Sequence, residues 1–154
     1  MPASNPDVKF FISRDLDSRI SERGEVAVEE WIQSGLDYHI IRDHPVGHGW
    51  PMNAGMWGCK GGTLPDIKDL IKKYINGKDF TNKSIDQCFL RDIVHPRTKD
   101  NLLLHDEYYN YEGIGRPISR DRKLDDFAFI GESVDENDIP RGDQRSPIIQ
   151  RYGA

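Results

Sequence analysis

The stretch ISRDLDSR at residues 12–19 sets two carboxylates, Asp15 and Asp17, two positions apart between Arg14 and Arg19. Like charges that close repel one another unless a cation or hydrogen-bond donors offset the repulsion. A divalent ion is the simplest partner. The competing reading is a surface pair neutralised by the two arginines. The apolar run Val8, Phe10 and Phe11 predicts a strand over 7–13, which would deliver these acids to a strand's carboxyl end. Two more predicted strands finish in ionisable clusters. LDYHIIRD (36–43) runs into Arg42, Asp43 and His44, and NLLLHDEYY (101–109) carries His105, Asp106 and Glu107. Ligands of open α/β sheets lie beyond the carboxyl ends of strands, so the three clusters could converge. A hard cation there would take Asp oxygens, keep some waters and bridge to phosphate oxygens. Manganese would also accept imidazole.

Other candidates have plainer explanations. His44 and His48 are four apart, but Pro45, Gly47 and Gly49 forbid the helix that a helical zinc-protease pair requires, so both read as loop hydrogen-bonders. Asp86, followed by Gln87, stands near a predicted helix start, where an acid can serve simply as a cap. Asn82-Lys83-Ser84 fits a glycosylation sequon, and Arg141-Gly142-Asp143 reads as a chance tripeptide. Cys59 and Cys88 are widely separated and form no CxxC pair, so they are expected as free thiols in a reducing compartment.

The elements that must position these residues alternate. Ser21–Ser34 predicts a helix, with Ser21 as N-cap and Gly35 as stop. Leu64–Tyr74 predicts a second helix with an apolar face of Ile67, Leu70 and Ile71, and Ser84–Val94 a third, stopped by Pro96. Residues 44–62 are rich in Gly and Pro and hold two of the three tryptophans, which predicts a long loop with a binding surface. FAFIGES (127–133) predicts a short strand, and 134–154 an extended polar tail. Strands alternating with helices predict an α/β fold in a single domain over 1–154.

Bulk properties limit the function. With 36% hydrophobic and 31% charged residues, and a mean hydropathy of −0.69, much of the chain must be solvated. A net charge of −5 argues against a general nucleic-acid binder, though a metal could still bridge the acids to a nucleotide's phosphates. No apolar run is long enough to span a bilayer, and the first residues lack the pattern of a secretory leader, so the expected location is cytoplasmic.

The order RDLDSR, EEWIQSG, HIIRDHP, NAGMWG, DQCFLRDIVHP, LLLHDEYY and FIGESVDEND resembles a family of GT-A-type glycosyltransferases, in particular bacterial and viral relatives with an RDxDSR-type signature. The resemblance covers roughly residues 8–140 and implies a mixed sheet flanked by helices. It also implies a divalent metal, Mn2+ or Mg2+, held by the DxD acids Asp15 and Asp17 against the diphosphate of a nucleotide-sugar donor. By the same resemblance, His105 would complete the metal shell and Asp86 would lie near the reacting carbon. The NAGMWG turn (Asn53, Gly55, Trp57, Gly58), with Gln87, would lie against donor sugar or hydroxyl-bearing acceptor. Arg14, Arg19 or Arg42 could hold phosphate through fork-shaped hydrogen bonds, and Trp50 or Trp57 could offer a flat face to a sugar ring.

In that family a base-binding half precedes the DxD, whereas only about fourteen residues do so here. The expectation is therefore a C-terminal catalytic portion, a reduced relative completed by homo-oligomerisation, or a chain that has lost activity. Exposed sheet edges would favour self-association. Two rival functions use the same residues: a metal-dependent phosphoesterase, and a non-enzymatic carbohydrate-binding or interaction remnant.

Overall fold

Ser21 and Gly35 bracket the first helix in the computed structural model, which describes residues 1–78 and 83–153. The Ser21 hydroxyl accepts the Gly24 N–H at the start of α1 (Glu22–Ser34), and Gly35 closes it in the left-handed region at φ 72°. Before α1 runs β1 (Phe10–Ser13). After it come β2 (Tyr38–Arg42), β3 (Trp57–Lys60), α2 (Ile67–Ile75), α3 (Ile85–Phe89), β4 (Leu102–Asp106) and α4 (Ser146–Tyr152).

The four strands form one mixed sheet in the order β1-β3-β2-β4, and the fold is α/β. β3 is antiparallel to both β1 and β2, while β4 is parallel to β2. β1, β2 and β4 therefore point the same way, and their carboxyl ends share one edge of the sheet. Alternation along β2 explains why all five of its residues are buried. Tyr38 and Ile40 join Ile67 of α2 and Phe89 of α3 in one core, and Ile41 meets Ala27 of α1 in another. Helices thus cover both faces, and the buried Trp31 of α1 stacks on His39 of β2 at 5.3 Å.

The structure corrects the sequence reading in four places. β3 lies inside the stretch read as a long loop. Gly58 is needed there because a Cβ would stand 2.6 Å from the Phe11 carbonyl oxygen and 3.2 Å from the Trp31 ring. Pro96 does not end the third helix. α3 widens into a π turn over Leu90–Val94 and tightens into a 3-10 turn at His95–Arg97, where Pro96 occupies the first turn that proline tolerates. Residues 127–133 are turns rather than a strand. Asp126 and Phe127 sit at φ 49° and 58°, Gly131 at φ 85°, and backbone bonds close locally, with an isolated Ser18–Ser133 bridge. The polar tail folds back: Ser146–Tyr152 is helical and its Ile148 is fully buried. The sequon's Asn82 lies outside the described residues. No helix among those described is long and apolar enough to cross a membrane.

Candidate functional site

Where β1 ends, the Ser18 amide and hydroxyl both donate to the Asp15 carbonyl, at 3.3 and 2.9 Å, closing a turn at the sheet edge. Where β2 ends, imidazoles organise the loop. His48 Nδ1 accepts the Asp43 N–H at 3.0 Å. His44 Nδ1 accepts the Val46 and Gly47 N–H groups, so its Nε2–H must be the donor to the Gln144 carbonyl at 2.8 Å. Further along, the Asn53 side chain donates to the His48 carbonyl and its own carbonyl accepts the Met56 N–H. The Ala54 N–H donates to Gln87 Oε1 at 3.1 Å, which ties α3 to this turn, and Arg14 donates to the Gly55 carbonyl from the opposite side.

These segments enclose a cleft of about 470 Å³. Asp15, Asn53, Gly55 and Gln87 line one part, His44 and His48 another, and Phe129, Gly131 and Gln144 complete it. Gly55 is fixed by contact, because a Cβ there would collide with the Asp15 carboxylate. Asp15 is itself exposed at the rim of the cleft; the desolvation that remains there raises its carboxyl above the ordinary range, the negative charges of Asp17 and Asp86 raise it further, and Arg14 opposes them. Neither Asp15 nor Asp17 has an ion-pair partner among the described residues. Burial pushes the His48 imidazole down to about 4, so it is neutral at ordinary pH.

The remaining sequence candidates are distributed more widely. Asp17 is exposed beside the cleft, and its carbonyl accepts the Val134 N–H. Asp86 is exposed and accepts the Gln87 N–H at 2.8 Å. Arg19 pairs with Asp138 at the surface. Trp57 is buried in β3, edge-on to Phe11. Arg42 is wholly buried: register places it beside Asp106, and it pairs with Asp106 at 2.8 Å and Glu112 at 2.6 Å. His105 belongs to a different array. Its Nε2–H donates to Glu30 at 2.7 Å and its Nδ1 accepts from His39 Nε2 at 2.9 Å, which commits both ring nitrogens. Glu30 also accepts from Ser119.

Among the described residues no three His, Cys, Asp or Glu side chains form a ready-made metal shell. Among the carboxylates Asp15 and Asp143 line the cleft, and the charges of Asp17 and Asp86 act on Asp15 from beside it. A hard cation held by few carboxylates takes its other oxygens from water and a ligand's phosphates, so this donor set fits Mg2+ or Mn2+ with a phosphate ligand. His48, Phe129, Gly131 and Gln144 are site residues that sequence reasoning missed. The His44/His48 spacing was the one available signal, and residues 129–144 carried none because their composition is that of a strand and a tail. No family model matches the chain, and neither the curated proteins nor the solved structures contain a match.

Proposed function

We propose that this chain is a metal-dependent glycosyltransferase of GT-A type, or the catalytic portion of one, with the cleft at the sheet edge as its donor site. The observation that carries the reading is the company Asp15 keeps. Its carboxylate lines a cleft with no ion pair among the described residues, feels the charges of Asp17 and Asp86 as well as that of Arg14, and lies against Gly55 in the cleft that Gln87 also lines. Three carboxylates that feel one another at the rim of a cleft are a cluster that a bound cation would relieve.

In this reading Asp15 and Asp17 hold Mn2+ or Mg2+ against the diphosphate of a nucleotide-sugar donor. When bound, the ion supplies Lewis-acid stabilisation of the leaving nucleoside diphosphate. Gln87, fixed by its bond from Ala54, and Asn53 orient the sugar. Asp86, whose charge is felt at Asp15, is the acid assigned to the reacting carbon. Arg14, supporting the Gly55 carbonyl, fixes the turn.

Calorimetric titration with Mn2+ and a panel of nucleoside diphosphates tests the reading. Metal-dependent binding of at least one, lost in Asp15→Asn with Asp17→Asn, is expected. A folded chain that binds none of them overturns it. Metal-dependent hydrolysis of simple phosphate esters without sugar transfer would favour the phosphoesterase instead.

A further inference from the structure

The side of the cleft formed by His48 and Phe129 has a chemistry of its own. His48 is 8% exposed and lines the cleft. Its Nδ1 is an acceptor, because the Asp43 amide points a proton at it. A neutral imidazole with an acceptor at Nδ1 carries its proton on Nε2. That Nε2–H has no acceptor among the described residues, whereas both nitrogens of His44 are committed to backbone. Gly131 passes beside it without a side chain; a Cβ there would stand 3.5 Å from Nε2. The Phe129 ring packs edge-on to His48 at 5.7 Å and against His44 at 4.5 Å. Both aromatic and imidazole surfaces therefore meet the same cleft as the Asp15 carboxylate.

From this arrangement we infer that His48 and Phe129 form a subsite for a neutral sugar ring, in which the His48 Nε2–H donates to a ring hydroxyl or ether oxygen. The ligand class rests on the transferase reading; the free donor does not. A neutral donor discriminates among ligands. A cationic imidazole would favour phosphate, but His48 stays uncharged because burial holds its proton affinity low, so it suits an uncharged oxygen. Asp15 offers acceptor oxygens in the same cleft, and a polyol carries both donors and acceptors on each hydroxyl. Phe129 is largely buried, and the part of its ring that lines the cleft suits the apolar C–H groups of a pyranose.

The experiment uses the full 15N-labelled chain and long-range proton–nitrogen spectra of its imidazoles. It is titrated separately with neutral methyl glycosides and with a panel of nucleoside diphosphates plus Mg2+. The expected result has His48 in the Nε2–H form at neutral pH, with that signal shifted by at least one glycoside. His48→Asn keeps an acceptor for the Asp43 amide and removes the donor at the Nε2 position, because the shorter side chain ends its amide before that point. It should stay folded and bind that glycoside about three- to tenfold more weakly, the size of one neutral hydrogen bond, with nucleotide binding unchanged. Phe129→Leu should weaken the same glycoside and likewise spare the nucleotide.

A proton on Nδ1, no response of His48 to any glycoside, or undiminished glycoside binding by His48→Asn would each overturn the subsite. Glycoside binding through His48 without nucleotide binding would uphold the subsite and remove the transfer reaction. Nucleotide binding without a glycoside response would do the reverse.

Discussion

The dipeptide Arg-Asp follows β1 and closes β2, and these two of its four occurrences have opposite fates. Asp43 is 2% exposed and receives Arg23 through two nitrogens at 2.9 and 3.0 Å, Arg122 at 2.6 Å and the Ile130 N–H at 3.0 Å. Its neighbour Arg42 is equally enclosed, between Asp106 and Glu112. Asp15 receives none of this. Arg14 turns away to backbone carbonyls, and the charges nearest Asp15 include two more carboxylates. A motif therefore does not decide whether an acid is scaffold or site. The partners do, and Arg122, which neutralises Asp43, lies 79 residues away in sequence.

The contrast breaks most visibly in stability. Asp43→Ala strands two buried guanidinium groups and should cost about 3–5 kcal/mol in urea denaturation. Asp15→Asn should leave stability within about 0.5 kcal/mol while abolishing metal-dependent nucleotide binding. Ionisation of Asp15, whose folded-state proton affinity is raised, costs stability as pH rises through its value, and the amide removes that cost. Equal losses in the two variants would erase the distinction between scaffold and site.

Acid titration sharpens the same comparison from the imidazole side. His48 titrates near 4 when folded and near the ordinary 6.5 when unfolded, so its contribution is lost as pH falls through that window, roughly 3 kcal/mol by pH 4. His48→Asn should flatten that part of the curve. Glu112 acts lower. Burial pushes its carboxyl up, but hydrogen bonds from Arg42 and His95 bring it down to about 2, so its contribution fades between the ordinary carboxylate range and pH 2. A stability profile without a wild-type slope between pH 6.5 and 4 would contradict the His48 environment.

Gly131→Ala comes next. The position needs φ 85°, and a methyl there would come 2.8 Å from Met56 Sδ, so about 1–3 kcal/mol should be lost in thermal unfolding. The smallest effect belongs to Arg19→Ala. Its pair with Asp138 is half to two-thirds exposed and should be worth under about 1 kcal/mol by the same assay. A larger loss would place Arg19 among the scaffold arginines.

Legibility followed the range of the interactions. The caps Ser21 and Gly35 act within one helical turn, and α1 begins and ends within one residue of its sequence reading. The ends of β1, β2 and β4 were visible as apolar runs meeting charge. β3 was hidden because its Gly58 answers to Phe11 and Trp31, which no local pattern reveals. His105 and Asp15 look alike as polar residues at or just beyond a strand's end, yet Glu30 and His39 commit one while the other has no ion pair among the described residues. The part of the cleft lined by Phe129, Gly131 and Gln144 was illegible for the same reason: short turns with no period serve a surface assembled at long range.

The His44–Gln144 hydrogen bond spans 100 residues of sequence. Joining ends so far apart costs stability only logarithmically in loop length, but it weighs on the order in which contacts form. α1 and its neighbouring strands can begin to assemble from nearby segments, whereas the Gln144 part of the cleft is gained only when the far end of the chain returns to β2. A chain with only the sheet in place would therefore still lack the side of the cleft that Phe129, Gly131 and Gln144 supply. Any ligand of the complete cleft binds the finished fold alone, and by mass action its presence draws the last folding step to completion.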